Sequence, residues 1–178
     1  MKFTKLFLVL AFALALVFAL APDSVAAGPK GPTIVDVAVY ANSPEGPYPG
    51  AFDTLIAAVG AADPAVAATL SGNGQHTVFA PTDAAFLAAG FTPENIVDVP
   101  EDTLTQILLY HVSSGELMSD DISTGTEVAS LQGDSATLEI QGDDILINGA
   151  TISAPDQAGA NGVVHGIDAV LIPPSFGQ

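Results

Sequence analysis

Apolar residues recur at helical spacing in the first part of the chain and form short alternating runs in the second. The clearest helical stripe lies over residues 101–111, where Leu104, Ile107, Leu108 and His111 share one face. Beyond residue 115 the apolar runs are short, β-prone and separated by turn residues. The pattern therefore predicts helices first and strands afterwards.

The individual elements follow from cap and turn residues. Helices are predicted from residue 33, over 52–59, 63–70 and 83–89, from 92 and over 101–111. Strands are predicted over 76–80, 127–132, 136–141, 145–148, 151–154 and 162–172. Asp143-Asp144 and Asn148-Gly149 are expected at hairpin tips. This order is typical of an α+β domain in which a helical layer packs on a mainly antiparallel or mixed β-sheet.

The N-terminal segment has the features of a secretory signal peptide over residues 1–27. Lys2 and Lys5 precede an apolar run over 6–21, and small residues at Ala26 or Ala27 provide the cleavage site. The alternative is an uncleaved membrane anchor, although the run is shorter than the roughly 20 residues that a spanning helix needs. We expect a linker at 28–32, one domain at 33–174 and a tail at 175–178, with no stable membrane insertion after cleavage.

The charge of the chain excludes several functions. It has 20 acidic residues against 3 lysines and no arginine, and removal of the leader leaves Lys30 as the single cation. Binding to nucleic acid or to anionic lipid requires clustered basic residues, so both are excluded. There is no cysteine for a disulfide. The acidity favours weak, non-specific association with divalent cations.

The three histidines are not predicted to form a catalytic or metal site. His111 lies on an apolar helical stripe and His165 in an apolar strand, so both are expected in the core, whereas His76 follows a glycine-rich turn and is expected in solvent. The chain has no i, i+4 histidine pair and no Gly-x-Ser-x-Gly elbow. The paired aspartates lack the alternating donors of an EF-hand. We predict no catalytic residue, metal site or cofactor.

Three segments together resemble one protein family. Residues 77–86 read TVFAPTDAAF, residues 108–112 read LLYHV and residues 161–173 read NGVVHGIDAVLIP. In this order and at these separations they resemble the signature blocks of the fasciclin (fasciclin I-like) domain, over about residues 31–174. The resemblance implies a single fasciclin domain, a β-wedge with a helical layer, of the secreted single-domain bacterial type.

The family motif is expected to be mainly structural. Pro81 should end a buried strand, and Thr82 or Asp83 should cap the next helix, while the apolar run of the third block should lie at the centre of the sheet. The resemblance also implies that His111 holds neighbouring elements by hydrogen bonds. The matching residues are Thr77, Phe79, Ala80, Pro81, Thr82, Asp83, Phe86, Tyr110, His111, Asn161, Gly162, Val164, His165, Ile167 and Asp168.

The resemblance implies a non-catalytic extracellular module for adhesion or for surface and matrix interaction, with a protein or glycan partner. An integrin-binding Pro-Asp-Ile-Met element of animal members corresponds to residues 155–158, which keep Pro155 and Asp156 as candidate binding residues but lack both apolar residues. The alternative is an enzyme or small-ligand binder with a cleft near His76, Thr82 and His165. Localisation is expected to be extracellular or periplasmic.

The charge imbalance generates a first prediction. With one lysine beyond the leader, repulsion between exposed carboxylates is screened by salt and not by ion pairs. The melting temperature is therefore expected to rise as sodium chloride is raised from low to molar concentration. A matched series near pH 4, where many carboxylates are protonated, should show a smaller rise. A flat profile at neutral pH would contradict this expectation.

Overall fold

The computed structural model describes residues 29–177, so the predicted leader lies outside the described residues. Five α-helices are formed: α1 (Ile34–Asn42), α2 (Asp53–Ala61), α3 (Pro64–Leu70), α4 (Asp83–Ala88) and α5 (Glu101–Tyr110). Seven strands are formed: β1 (His76–Pro81), β2 (Val112–Ser114), β3 (Thr126–Ala129), β4 (Ser135–Gln141), β5 (Asp144–Ile147), β6 (Ala150–Gly159) and β7 (Gly162–Ile167). Short 3₁₀ helices lie at Ile96–Asp98, Ser119–Asp121 and Pro174–Gly177.

The helices begin at the cap residues that the sequence predicts. Thr33 and Asp36 form a capping box at the start of α1, and Asp63 accepts a hydrogen bond from Ala65 N–H at the start of α3, where Pro64 is the first helical residue. Thr82 caps α4. These local signals place three of the five described helices without help from tertiary structure.

The sheet is mixed and nearly closes into a barrel. Its strand order is β2-β1-β7-β6-β5-β4-β3. The pair of β1 and β7 is parallel and every other pair is antiparallel. A single bridge between Ser113 and Ser130 joins the two ends of the sheet. The α+β prediction of a helical layer on a mixed sheet is confirmed.

The hairpin turns of the second half also agree with the sequence. Between β4 and β5 the turn is formed by Gly142, with a φ of 68°, and Asp143, one residue earlier than the predicted tip at Asp143-Asp144, because β5 begins at Asp144. Asn148 and Gly149 have φ values of 47° and 85° between β5 and β6, as a primed two-residue turn requires.

The core has two parts, one on each side of the sheet. The larger lies between the helices and the outer face of β1 and β7, and includes Ile34, Leu55, Val66, Leu104 and Val164. The smaller lies inside the curved sheet, and includes Phe79, Tyr110, Leu138, Ile147 and Ile167. Strand β7 contributes to both parts, so it is buried along its whole length.

The last predicted strand is too long. Strand β7 ends at Ile167 and not at residue 172, and Ile172 is 63% exposed. Leu171 N–H donates to the imidazole of His111, which holds the segment after β7 against the end of α5. The prediction that residues 168–172 continue the central strand is therefore wrong.

Three further details differ from the sequence prediction. Strand β2 was not predicted, because three residues after a helix carry no clear alternation. Strand β6 runs past Ala154 to Gly159 through two register shifts, which accommodate Pro155. On α2, the spacing of Phe52, Leu55, Ile56 and Val59 predicts one buried face, but Ala58 is buried and Ile56 is 39% exposed.

Within residues 29–177, no single helix is long and apolar enough to span a membrane. Helices α2 and α3 together reach that length and composition, but they are bent by 120° at their junction.

Candidate functional site

The three motif segments meet at the parallel pair of β1 and β7. Phe79 on β1 lies opposite His165 on β7, and their rings stack with centroids 5.7 Å apart. Phe79 N–H donates to the carbonyl oxygen of His111 at 2.8 Å, which joins the end of α5 to β1. Strand β1 is thus held by the other two motif segments.

His111 is buried and uses both ring nitrogens. Its Nδ1 lies 2.8 Å from the carbonyl oxygen of Ile107, and its Nε2 accepts a hydrogen bond from Leu171 N–H at 2.9 Å. The proton is therefore on Nδ1. Burial lowers the pKa of His111 to about 4, although the bond to Ile107 opposes this shift. At neutral pH the ring is an uncharged connector between α5 and the segment after β7.

His165 is fully buried and also uses both ring nitrogens. Its Nδ1 accepts a hydrogen bond from Asp156 N–H at 3.1 Å, and its Nε2 donates to the carbonyl oxygen of Leu117 at 2.8 Å. Burial lowers the pKa of His165, against the opposing effects of the Leu117 bond and the Asp156 carboxylate. The ring fastens β7 to the β6 bulge and to the loop after β2.

The candidate binding residues Pro155 and Asp156 lie within β6. Pro155 is exposed, and Asp156 adopts a φ of 59° at the bulge. The Asp156 carboxylate accepts hydrogen bonds from the backbone N–H of Ser119, at 2.8 Å, and from its hydroxyl. The pKa of Asp156 is lowered overall. Partial burial alone would raise this pKa, but the two hydrogen bonds from Ser119 and the nearby His165 together have the larger, opposite effect. The carboxylate anchors a loop.

Asn161 joins three elements. Its Oδ1 accepts a hydrogen bond from Ile34 N–H at 2.8 Å, and its Nδ2 donates to the carbonyl oxygens of Leu70 and Gly72, each at 2.8 Å. The side chain is buried and connects the start of α1 and the end of α3 to the start of β7. The next residue must be glycine, because a β-carbon on Gly162 would lie 1.8 Å from the His76 carbonyl oxygen.

Five more motif side chains bind backbone groups. Thr77 Oγ1 donates to the Gly115 carbonyl oxygen at 2.8 Å and accepts from Leu117 N–H at 2.9 Å. The others are placed as follows: Thr82 caps α4, Asp83 accepts from Thr54 N–H in the first turn of α2, Asp168 accepts from Thr151 N–H, and Tyr110 Oη donates to the Ser135 carbonyl oxygen. Asp83 therefore caps a distant helix, which sequence reasoning missed.

The apolar motif residues fill the core on both sides of β1 and β7. Those with exposures below 9% are Phe79, Ala80, Phe86, Val164 and Ile167, and Pro81 is also buried. Pro81 ends β1 as predicted, opposite Ile167.

The predicted cleft near His76, Thr82 and His165 is not formed. His76 and Thr82 lie at opposite ends of β1, and the side chain of His165 is enclosed in the core. His76 is half-buried instead of solvated, and its Nδ1 is buried with no hydrogen-bond partner among the described residues. These three residues therefore do not line a common pocket.

Within residues 29–177, no cluster of three or more His, Asp or Glu side chains could hold a metal ion. The predicted weak association with divalent cations stays a prediction.

The structure contains an apolar cavity that sequence reasoning missed. It has a volume of about 90 Å³ and lies between α1, α2 and the sheet. Val39 and Ile56 line it and are also exposed. The signal in the sequence was the excess of apolar residues on α1 and α2 over what one buried face requires.

Comparison with known proteins identifies the family. The sequence model of the Fasciclin domain matches residues 50–173. The chain belongs to the fasciclin family. The match begins after α1, whereas the predicted domain begins at residue 33, so the predicted boundaries stay predictions. In the structure, α1 packs against β6 and β7.

This fasciclin-family chain is similar to curated bacterial proteins. It is 42% identical over 125 residues to protein sll1483 of Synechocystis, an alignment that covers 69% of this chain and 68% of that protein. It is 38% identical over 160 residues to the immunogenic protein MPB70 of Mycobacterium bovis, covering 84% of this chain and 78% of the relative.

A solved structure shares the fold. The structure of a FAS1 domain pair from the insect cell adhesion molecule fasciclin I matches with a TM-score of 0.54 and 22% identity. The match covers 68% of this chain and 45% of the domain pair. At this level of identity the likeness establishes the fold alone.

The role of Asn161 generates a second prediction. Asn161→Ala leaves one buried N–H and two carbonyl groups without their partner and is expected to lower the free energy of unfolding by about 2–3 kcal/mol. The same substitution at exposed Asn95, which bonds only within its own turn, should have an effect below about 1 kcal/mol. Urea denaturation measures both, and equal losses would contradict the role assigned to Asn161.

The environment of His111 generates a third prediction. The unfolded chain binds a proton here near pH 6.5, whereas the folded protein does so only near pH 4. The contribution of His111 to the free energy of unfolding is therefore fully present above pH 6.5. It decreases as the pH is lowered towards 4, by at most about 1.4 kcal/mol per pH unit. His165 acts in the same direction.

Urea denaturation between pH 7.5 and 4 tests this dependence. His111→Gln should be less stable at pH 7.5 and lose much less stability on acidification than the native chain. The control His76→Gln changes a half-buried histidine outside these contacts. A pH slope in His111→Gln equal to that of the native chain would contradict the prediction.

Proposed function

We propose that this protein is a secreted, non-catalytic interaction module that binds a protein or glycan on a cell surface or in a matrix. The observation that supports the proposal most is that the polar side chains of the family motif form hydrogen bonds with backbone groups of neighbouring loops and helices. Groups engaged in this way are not available as nucleophile or base. The motif therefore serves to shape a rigid surface.

The family relationship supports the same proposal. A solved structure with this fold comes from an insect cell adhesion molecule. Adhesion is therefore the function to test first. Localisation outside the cytoplasm, extracellular or periplasmic, is part of the proposal and depends on removal of residues 1–27.

Charge restricts the kind of partner. Among residues 29–177 the acidic side chains are opposed by Lys30 alone. Long-range attraction is thus limited to cationic partners, and anionic glycans or lipids are repelled. Contacts with other partners must use uncharged surface, of which exposed Pro155 at the β6 bulge is one part.

Binding to surface extracts of the producing cells tests the proposal. Tagged protein, collected after secretion, should capture a partner in a saturable way, and untagged protein should compete. Capture that weakens with salt indicates a cationic partner, and salt-independent capture indicates an uncharged contact. Absence of saturable capture, together with unchanged attachment in a gene-deletion strain, would contradict it.

A screen for hydrolase activity tests the alternative of an enzyme. We expect no turnover above background. Activity that is lost in the folded His76→Ala variant, but retained in Leu87→Ala, would overturn the non-catalytic assignment.

A further inference from the structure

The apolar cavity between the helices and the sheet is deep and open to solvent. Its floor is made by β1 and β7 residues of the core, Val78, Ala80 and Val164, each no more than 9% exposed. Its mouth lies between α1 and α2, where Val39 is 50% exposed and Ile56 is 39% exposed. The cavity thus connects the exposed helix surface with the centre of the sheet.

The lining of the cavity disfavours water. Every lining residue is apolar except His111. Both ring nitrogens of His111 are already bonded, to Ile107 and Leu171, so neither is free to hold a water molecule. Apolar cavities without polar partners stay dry and take up apolar molecules. The apolar lining therefore favours a hydrocarbon group as the occupant of the cavity.

The dimensions select a thin occupant. The volume of about 90 Å³ is below the roughly 150 Å³ of an apolar cavity that accepts benzene. The end of one aliphatic chain can enter, and the rest of that chain can lie along the mouth against Val39 and Ile56. A folded partner cannot reach the floor between two packed helices.

The charge of the protein selects the head group. Among residues 29–177, no charged side chain lines the cavity, and the chain carries a formal net charge of −17. A carboxylate or phosphate head group would be repelled at the mouth, whereas a neutral or cationic head group would be tolerated or attracted.

We propose that the cavity between α1, α2 and the β1–β7 pair binds the aliphatic chain of a neutral or cationic amphiphile. This site is separate from the surface interaction proposed above. Its occupancy would bury apolar area at Val39 and Ile56 that is otherwise in contact with water.

Fluorescence titration with a neutral probe, the dansyl amide of decylamine, whose aliphatic chain can enter the cavity while the dye stays at the mouth, tests the proposal on protein produced from the full-length sequence. A saturable increase with one site per chain is expected. Decanol and decyltrimethylammonium should displace the probe, and decanoate should need at least a tenfold higher concentration at low salt. Equal displacement by decanoate at low salt, or no saturable uptake of the probe, overturns the proposal.

Two variants locate the site. Ala38→Phe fills the cavity, and Ile56→Gln places an amide at its half-exposed mouth without altering the buried core. Both should weaken probe binding at least tenfold. The control Leu87→Gln changes an exposed residue of α4 that does not line the cavity and should bind like the native chain.

The Ile56 variant keeps the test valid if Ala38→Phe does not fold, which circular dichroism reports. Probe binding unchanged in Ile56→Gln overturns the proposal. A dimer in solution that dissociates in Ile56→Gln, without uptake of the probe, assigns the mouth to a second copy of the chain and also overturns it.

Discussion

The parallel pairing of β1 with β7 is the interaction on which the rest of the fold depends. It joins residues 76–81 to residues 162–167 and thus closes the segment between them, which contains α4, α5 and strands β2 to β6, into one loop. Strand β7 is buried along its length, with the helical core on one side and the interior of the curved sheet on the other. The helices, the β6 bulge and the loop after β2 all attach to this pair.

Hydrogen bonds from side chains to backbone groups connect these elements to the β1–β7 pair. Other proteins can use ion pairs for such connections. In the described part of the chain Lys30 is the one lysine, and the closest approach of a histidine to a carboxylate is 4.0 Å, between His165 and Asp156. Thr77, His111, Asn161 and His165 bind backbone groups from distant segments instead. Neutral connectors of this kind suit a chain whose surface charge is almost all of one sign.

Local signals in the sequence predicted much of the fold, and long-range contacts account for what they did not predict. Thr33, Asp63 and Thr82 cap helices because their partners lie two or three residues away. The predicted end of β7 was wrong because Leu171 N–H donates a hydrogen bond to His111, 60 residues earlier in the chain. The cavity was not foreseen because the extra apolar residues on α1 and α2 do not by themselves reveal that a gap separates the two helices.

Native-state amide hydrogen exchange in low urea tests the central role of the β1–β7 pair most directly. Amides of both strands should exchange only through global unfolding, with one common free energy that equals the value from denaturation. The β4–β5 hairpin, at the far end of the sheet, should open at a lower free energy. Exchange of β1 and β7 through openings easier than those of β4 and β5 would contradict the account.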